Sequence, residues 1–154
     1  HFAIIGSRGD GPVEQQAARL DNVSVIGWCA PDELTPYLFA SDILLVPPTS
    51  APLVRAGTTV LPIKTFLYMA VERPIFGPAS ADLLEVLTDD DTACLVPPDD
   101  LEAAHTRLRE LVEDAGLRAR LAAAARALVE ARTWEARARE ILGFLDRRLS
   151  GQPR

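Results

Sequence analysis

Ile43-Leu44-Leu45-Val46-Pro47-Pro48 is a four-residue apolar run stopped by a proline pair, and the same grammar returns as Ala93-Cys94-Leu95-Val96-Pro97-Pro98. A run that is apolar at every position suits a strand covered on both faces, as in a parallel sheet. Proline lacks the N–H that a ladder needs, so each pair marks where a strand stops. Working outward, Phe2 to Gly6, Val23 to Gly27 and the short Ile75-Phe76 read as further strands, the first buried. Helical stretches fall between them: Pro12 to Leu20, a single turn over Pro31 to Leu34, and a helix capped by Thr35-Pro36 through about Ser41. A helix opened by Pro62 and one capped by Ser80, Ala81 to Leu87, complete the series. This alternation predicts an α/β fold, a Rossmann-like parallel sheet with helices on both faces.

From Asp99 onward the pattern becomes continuously helical. Asp99 and Glu102 make a start like a capping box. Leu101, Ala104, Leu108, Leu111 and Val112 share one face; Leu117, Leu121, Ala125, Leu128 and Val129 repeat the stripe. Thr133 caps a third helix carrying Trp134, Ala138, Ile141, Leu142, Leu145 and Leu149. The reading is one domain over residues 1–149, helical from 100 to 149, with a frayed tail at 150–154.

The 154 residues are 48% hydrophobic and 25% charged, the balance of a soluble globular domain. Residues 1–100 hold five basic and fourteen acidic side chains; residues 101–154 hold eleven and eight. The acidic part argues against nucleic-acid binding. The basic tail, with Arg137, Arg139, Arg147 and Arg148, suits a solvated helix face or weak peripheral contact with an anionic membrane. No apolar run reaches the roughly 18 residues of a membrane span, and no signal-peptide pattern opens the chain. Cys29 and Cys94 lack ligand-like spacing and sit in or beside apolar runs. They read as buried free thiols, which points to a reducing, cytoplasmic compartment.

Leu61-Pro-Ile-Lys-Thr-Phe-Leu-Tyr-Met-Ala70 is the segment richest in chemistry. It holds Lys64, the only lysine among sixteen basic residues. Pro62 suits the first helical position. The amides of Ile63, Lys64 and Thr65 would then point out of the helix start, where the dipole favours an anion such as phosphate. Ligands of parallel sheets bind at the carboxyl ends of the strands. Those ends are Gly6 to Gly9, Gly27 to Ala30 and the loop from Pro47 to Thr59; with the Pro62 helix they define one candidate cleft.

Other motifs carry less. Gly6-Ser-Arg-Gly-Asp-Gly11 lacks the dinucleotide-fingerprint spacing and is either a plain turn or a ligand loop. His1 and His105 build no metal site. Asp89-Asp90-Asp91 reads as a solvated turn. Trp28, at a strand end, either stacks on a base or packs under a loop.

The order Ile43–Pro48, Pro62–Ala70, Arg73-Pro74-Ile75, Leu95–Asp100, Thr133-Trp134-Glu135 resembles the C-terminal domain of GT-B glycosyltransferases, closest to the family 4-like "group 1" retaining enzymes. The resemblance runs from Phe2 to about Leu149. It implies a nucleotide-sugar donor on this domain, an acceptor on a separate N-terminal domain, transfer with retention and no metal or other cofactor. The amides of Ile63, Lys64 and Thr65 would hold the diphosphate. Gly6 and the backbone of Trp28, Cys29 and Ala30 would line the donor cleft, with the latter three meeting the base. Two glutamates of the family, on the donor sugar and the ribose, would fall at Thr59 and Leu67, where neither residue is acidic. Leucine cannot accept a hydrogen bond from a ribose. The resemblance also implies a domain incomplete at its N-terminus, because the family's first strand and helix have no counterpart and His1 begins inside a strand. A non-catalytic binding or scaffold module with a degenerate donor site is the alternative.

Overall fold

The computed structural model describes residues 1–56 and 61–151, and the chain divides into two compact units, His1–Ala40 and Ser41–Arg154. The first contains β1 (Phe2–Ile5), α1 (Pro12–Ala17), β2 (Val23–Ile26) and α2 (Pro31–Ala40). The two strands pair in parallel, Phe2 opposite Val23 through Ile5 opposite Ile26.

Strand β1 is exposed at Phe2 and Ala3 and only half-buried at Ile4 and Ile5. Helix α2 is one element rather than a turn followed by a helix, and it carries Pro36 inside it. Pro36 removes the amide that would bond one turn back. Thr35 does not cap a helix; its hydroxyl donates to the Pro31 carbonyl at 3.0 Å. The helix start is closed instead by Glu33, whose carboxylate accepts from the Ala30 amide at 2.9 Å.

The second unit holds β3 (Leu44–Leu45), α3 (Ala51–Ala56), α4 (Lys64–Ala70), β4 (Ile75–Pro78), α5 (Ala81–Leu84) and β5 (Cys94–Val96). Then come α6 (Leu101–Glu113), α7 (Ala115–Glu130) and α8 (Trp134–Leu149). Its three strands are parallel in the order β3-β4-β5. Successive strand residues point to opposite faces, and each face has its own core. Ile75, Ala93 and Leu95 join Val46, Met69, Leu83, Leu87 and Ala125 on one side. Phe76, Cys94 and Val96 join Ala104, Leu111 and Leu121 on the other. Helix α7 serves both, through Leu121 and, one turn on, Ala125. Burying an Ile, Phe or Leu side chain fully contributes about 1.5–3 kcal/mol, and Ile75, Phe76, Leu111 and Leu121 are all essentially inaccessible. Gly77 belongs to this packing: a Cβ there would sit 3.2 Å from the Val46 Cβ.

Local chemistry sets the helix ends. The cap of α6 is Asp100, not Asp99; its side chain accepts from the Ala103 amide at 2.9 Å. Asp114 and Thr133 cap α7 and α8 in the same way. The Asp89–Asp91 run is not merely solvated. Asp89 accepts from the Leu95 amide at 2.8 Å, and Arg107 of α6 pairs with Asp90 and with Glu110. Helix α8 has no buried residue, and Trp134, Leu142 and Leu149 are exposed on it. No described helix is long and apolar enough to cross a membrane.

Candidate functional site

In the first unit, the carboxyl ends of β1 and β2 are brought together at Gly6. Its amide lies 3.1 Å from both the Ile26 and Gly27 carbonyls. Its φ of +84° is one that glycine adopts without strain. The following loop folds back onto α1, where the Ser7 hydroxyl donates to Glu14 at 2.9 Å and accepts from the Gly9 amide at 3.1 Å. Next to it, Trp28 is 78% exposed, so the indole does not pack under a loop. Cys29 is partly exposed rather than buried, and its thiol donates to the Gly27 carbonyl. The Ala30 amide is already used by Glu33.

In the second unit, α4 starts where the chain has left the carboxyl end of β3 and turns back toward the start of β4. Its faces differ. Thr65 and Met69 point into the core at 0% exposure. Lys64 and Tyr68, also one turn apart, are half-buried, with the Lys64 ammonium 6.0 Å from the centre of the Tyr68 ring. That is the outer limit of a cation–π contact. Burial pulls the Lys64 pKa below the ordinary lysine value and pushes Tyr68 up. Ile63 and Leu67 are exposed, Leu67 at 41%.

The first turn of α4 is tight. Ile63 already has helical φ and ψ, and the Thr65 amide donates to the Pro62 carbonyl at 2.9 Å. The Thr65 amide is therefore engaged, and its hydroxyl, buried in the core, has no hydrogen-bond partner. Lys64 is left as the cation at this helix start. Thr59 lies outside the described residues. At the other end, Arg126 of α7 donates to the Ala70 carbonyl and anchors the last turn.

The same sheet edge carries a tie between the loops after β3 and β5 that sequence reasoning missed. Asp99 accepts from the Thr49 hydroxyl at 2.8 Å and from the Ser50 amide and hydroxyl. These bonds, with the Ser50 hydroxyl foremost, hold its carboxyl below the usual carboxylate range. A separate open depression of about 470 Å³ at the α6–α7 turn is lined by Glu110, Glu113 and Asp114. Its acidic wall disfavours an anion there. Among the described residues, no three His, Cys, Asp or Glu side chains are grouped to hold a metal ion.

The family model "Glycosyl transferases group 1" matches residues 1–114. No curated protein matches the chain. Among solved structures, the C-terminal domain of a glycosyl transferase group 1 protein, LpcC from Francisella tularensis, is similar with a TM-score of 0.61 at 22% identity. That match covers 77% of this chain and 59% of the other. Sucrose-phosphate synthase from Thermosynechococcus elongatus is similar with a TM-score of 0.75 at 23% identity, over 98% of this chain and 39% of that one. HepE from Anabaena, solved in complex with UDP, gives 0.72 at 16%, over 94% and 40%. At these identities the likeness is one of fold, that of the GT-B C-terminal domain, and the chain spans between 39% and 59% of the length of these proteins.

Proposed function

The chain belongs to the group 1 glycosyltransferases, and from that premise we propose that it is the donor-binding domain of an enzyme that moves a sugar from a nucleotide-sugar to an acceptor with retention. The observation that carries the reading is Lys64, a half-buried cation at the start of α4 on the carboxyl side of the sheet. The donor diphosphate is placed against Lys64 and the amides of Ile63 and Lys64. The exposed Trp28 and the backbone of Trp28–Ala30 are kept, within the first unit, as a separate candidate for contact with a base. Stabilising the departing diphosphate with fixed dipoles and a cation is electrostatic catalysis. The proposal needs no metal and assigns no catalytic base to this domain. Acceptor binding is assigned to a separate N-terminal domain. HepE, whose fold is similar, was solved with UDP and with UDP-glucose, which supports a uridine donor first.

Leu67 favours a second reading, a domain of the same fold whose donor site is degenerate. Its exposed side chain stands where a ribose-binding acceptor is expected, and losing such a charged acceptor costs on the order of 1.5–3 kcal/mol per hydrogen bond. Calorimetry on the full-length protein with UDP, GDP and their sugar conjugates separates the two. Absence of binding at millimolar ligand would sink the transferase reading. Leu67→Glu is expected to tighten nucleotide binding by roughly tenfold or more; an unchanged affinity removes the role given to that position.

A further inference from the structure

Asp99 is the residue through which the loop after β5 holds the loop after β3. Its amide donates to the Pro48 carbonyl at 2.9 Å. Its carboxylate accepts from the Thr49 hydroxyl at 2.8 Å, from the Ser50 amide at 3.3 Å to each oxygen, and from the Ser50 hydroxyl. The hold continues into α3: the Thr49 hydroxyl accepts from the Ala51 amide at 3.2 Å, and the Ser50 carbonyl accepts from Val54 at 3.1 Å. Asp99 does this from φ +65°, a region that side-chain-bearing residues seldom occupy and that aspartate tolerates better than most. Its neighbour Asp100 supplies the cap of α6, so the Asp99 carboxylate has no part in that helix start. The depressed pKa of Asp99 agrees with a carboxylate that accepts from these donors.

We propose that Asp99 is a positioning residue for the donor: it fixes the Pro47–Ala51 segment at the sheet edge from which α4 also begins, so that the ligand meets a formed loop. The proposal rests on the donor-binding reading of this domain. Fixing a loop before the ligand arrives removes an ordering cost from binding. The hydrogen bonds reach the loop and not the ligand, so Asp99 acts through Thr49 and Ser50.

The test uses the full-length protein with UDP as the probe. Asp99→Gly tolerates the same φ and removes the carboxylate, and it also frees the backbone. Asp99→Asn keeps one acceptor oxygen and tolerates the same φ. Three quantities are read: UDP affinity by calorimetry, the thermal midpoint, and the rate of tryptic cleavage after Arg55 by mass spectrometry. Asp99→Gly is expected to weaken UDP binding by on the order of tenfold and to speed cleavage after Arg55, with a thermal midpoint that stays well above the temperature of both assays. Asp99→Asn should fall between it and the wild type. Unchanged UDP affinity in Asp99→Gly overturns the positioning role, even if cleavage speeds up. Unchanged cleavage shows that the carboxylate holds nothing. A wild type that binds no UDP defeats the donor reading itself, and the cleavage rates still decide whether the clamp exists.

Discussion

The two units of this chain use the same local grammar and reach different interiors. Each pairs parallel strands that end at glycine or proline and alternate with helices. In unit 2 the central strand β4 has a neighbour on both sides, and its residues feed two cores, so all four are buried. In unit 1 each strand has one partner, Leu38 is the only buried residue, and Phe2, Val13, Leu20 and Phe39 stay exposed. An apolar run establishes that a strand can form; how deeply it is buried depends on what covers each face. Chemistry follows that division. Unit 2 can hold Lys64, Tyr68 and Thr65 at fixed depths, whereas unit 1 presents Trp28 and the Gly6 loop at its surface.

The sharpest way to break this contrast is to truncate one phenylalanine in each unit. Phe76→Ala empties a site with 1% exposure at the centre of β4. It should lower stability by about 3–5 kcal/mol. Phe2→Ala, at a position 48% exposed, should cost under about 1 kcal/mol. Urea denaturation of both variants measures the difference; similar midpoints would mean that unit 1 is as tightly built as unit 2.

How much of this was legible depends on the reach of each signal. Strands β3 and β5 were legible because their runs are apolar at every position and proline pairs end them. β1 carries the same signal, yet its burial was misread, since coverage is a tertiary property. The passage of α2 through Pro36 was hidden for a local reason. A proline inside a helix removes one hydrogen bond, and residues on either side can sustain the turns around it. The α6 cap was misplaced by one residue because Asp99 and Asp100 offer the same side chain, and only backbone φ separates them. At the site, Pro62 and the lone Lys64 marked the neighbourhood of the α4 start from sequence alone, but Pro62 precedes the Ile63 cap instead of holding the first helical position. The amide of Thr65 was read as free for a phosphate, but it is engaged with the Pro62 carbonyl in a tight first turn that the residue types do not reveal. The Asp99–Ser50 tie left no local trace, because it joins loops some fifty residues apart.

The two cysteines sharpen the same comparison through chemistry. Cys94 sits in the unit 2 core, where burial pushes its thiol up to about 11 from 9.0. A rise of that size cuts the thiolate population near pH 8 by about a hundredfold, and only the thiolate reacts with alkylating reagents. Cys29, partly exposed in unit 1, has no such shelter. Mass spectrometry after brief alkylation at pH 8 should find Cys29 modified and Cys94 intact. The sign of the pH effect follows from linkage. The folded state keeps its proton to about 11 while the unfolded thiol loses it near 9.0. Stability should therefore fall as pH rises through that interval and be insensitive to this group below it. Equal labelling of both thiols at pH 8 would break the contrast.

The smallest expected effect asks whether a helix shares the core's fate. Asp100, Asp114 and Thr133 cap α6, α7 and α8 with the same bond, a side-chain oxygen accepting from an amide three residues on at 2.9, 2.8 and 3.1 Å. Replacing such a residue by alanine removes about 1 kcal/mol of helix stability. That loss enters the global unfolding free energy only if the helix melts together with the core. Helices α6 and α7 bury Ala104, Leu111, Leu121 and Ala125, so Asp100→Ala and Asp114→Ala should each lower the urea stability by about 1 kcal/mol. Helix α8 buries nothing, so its opening is local. Thr133→Ala should change the global value by less than about 0.5 kcal/mol. It should instead speed amide hydrogen exchange in the first turns of α8, around Ala136 and Arg137. A global loss as large as that of Asp100→Ala would mean that α8 unfolds with the core, and its exposed apolar face would then need a covering surface to account for it.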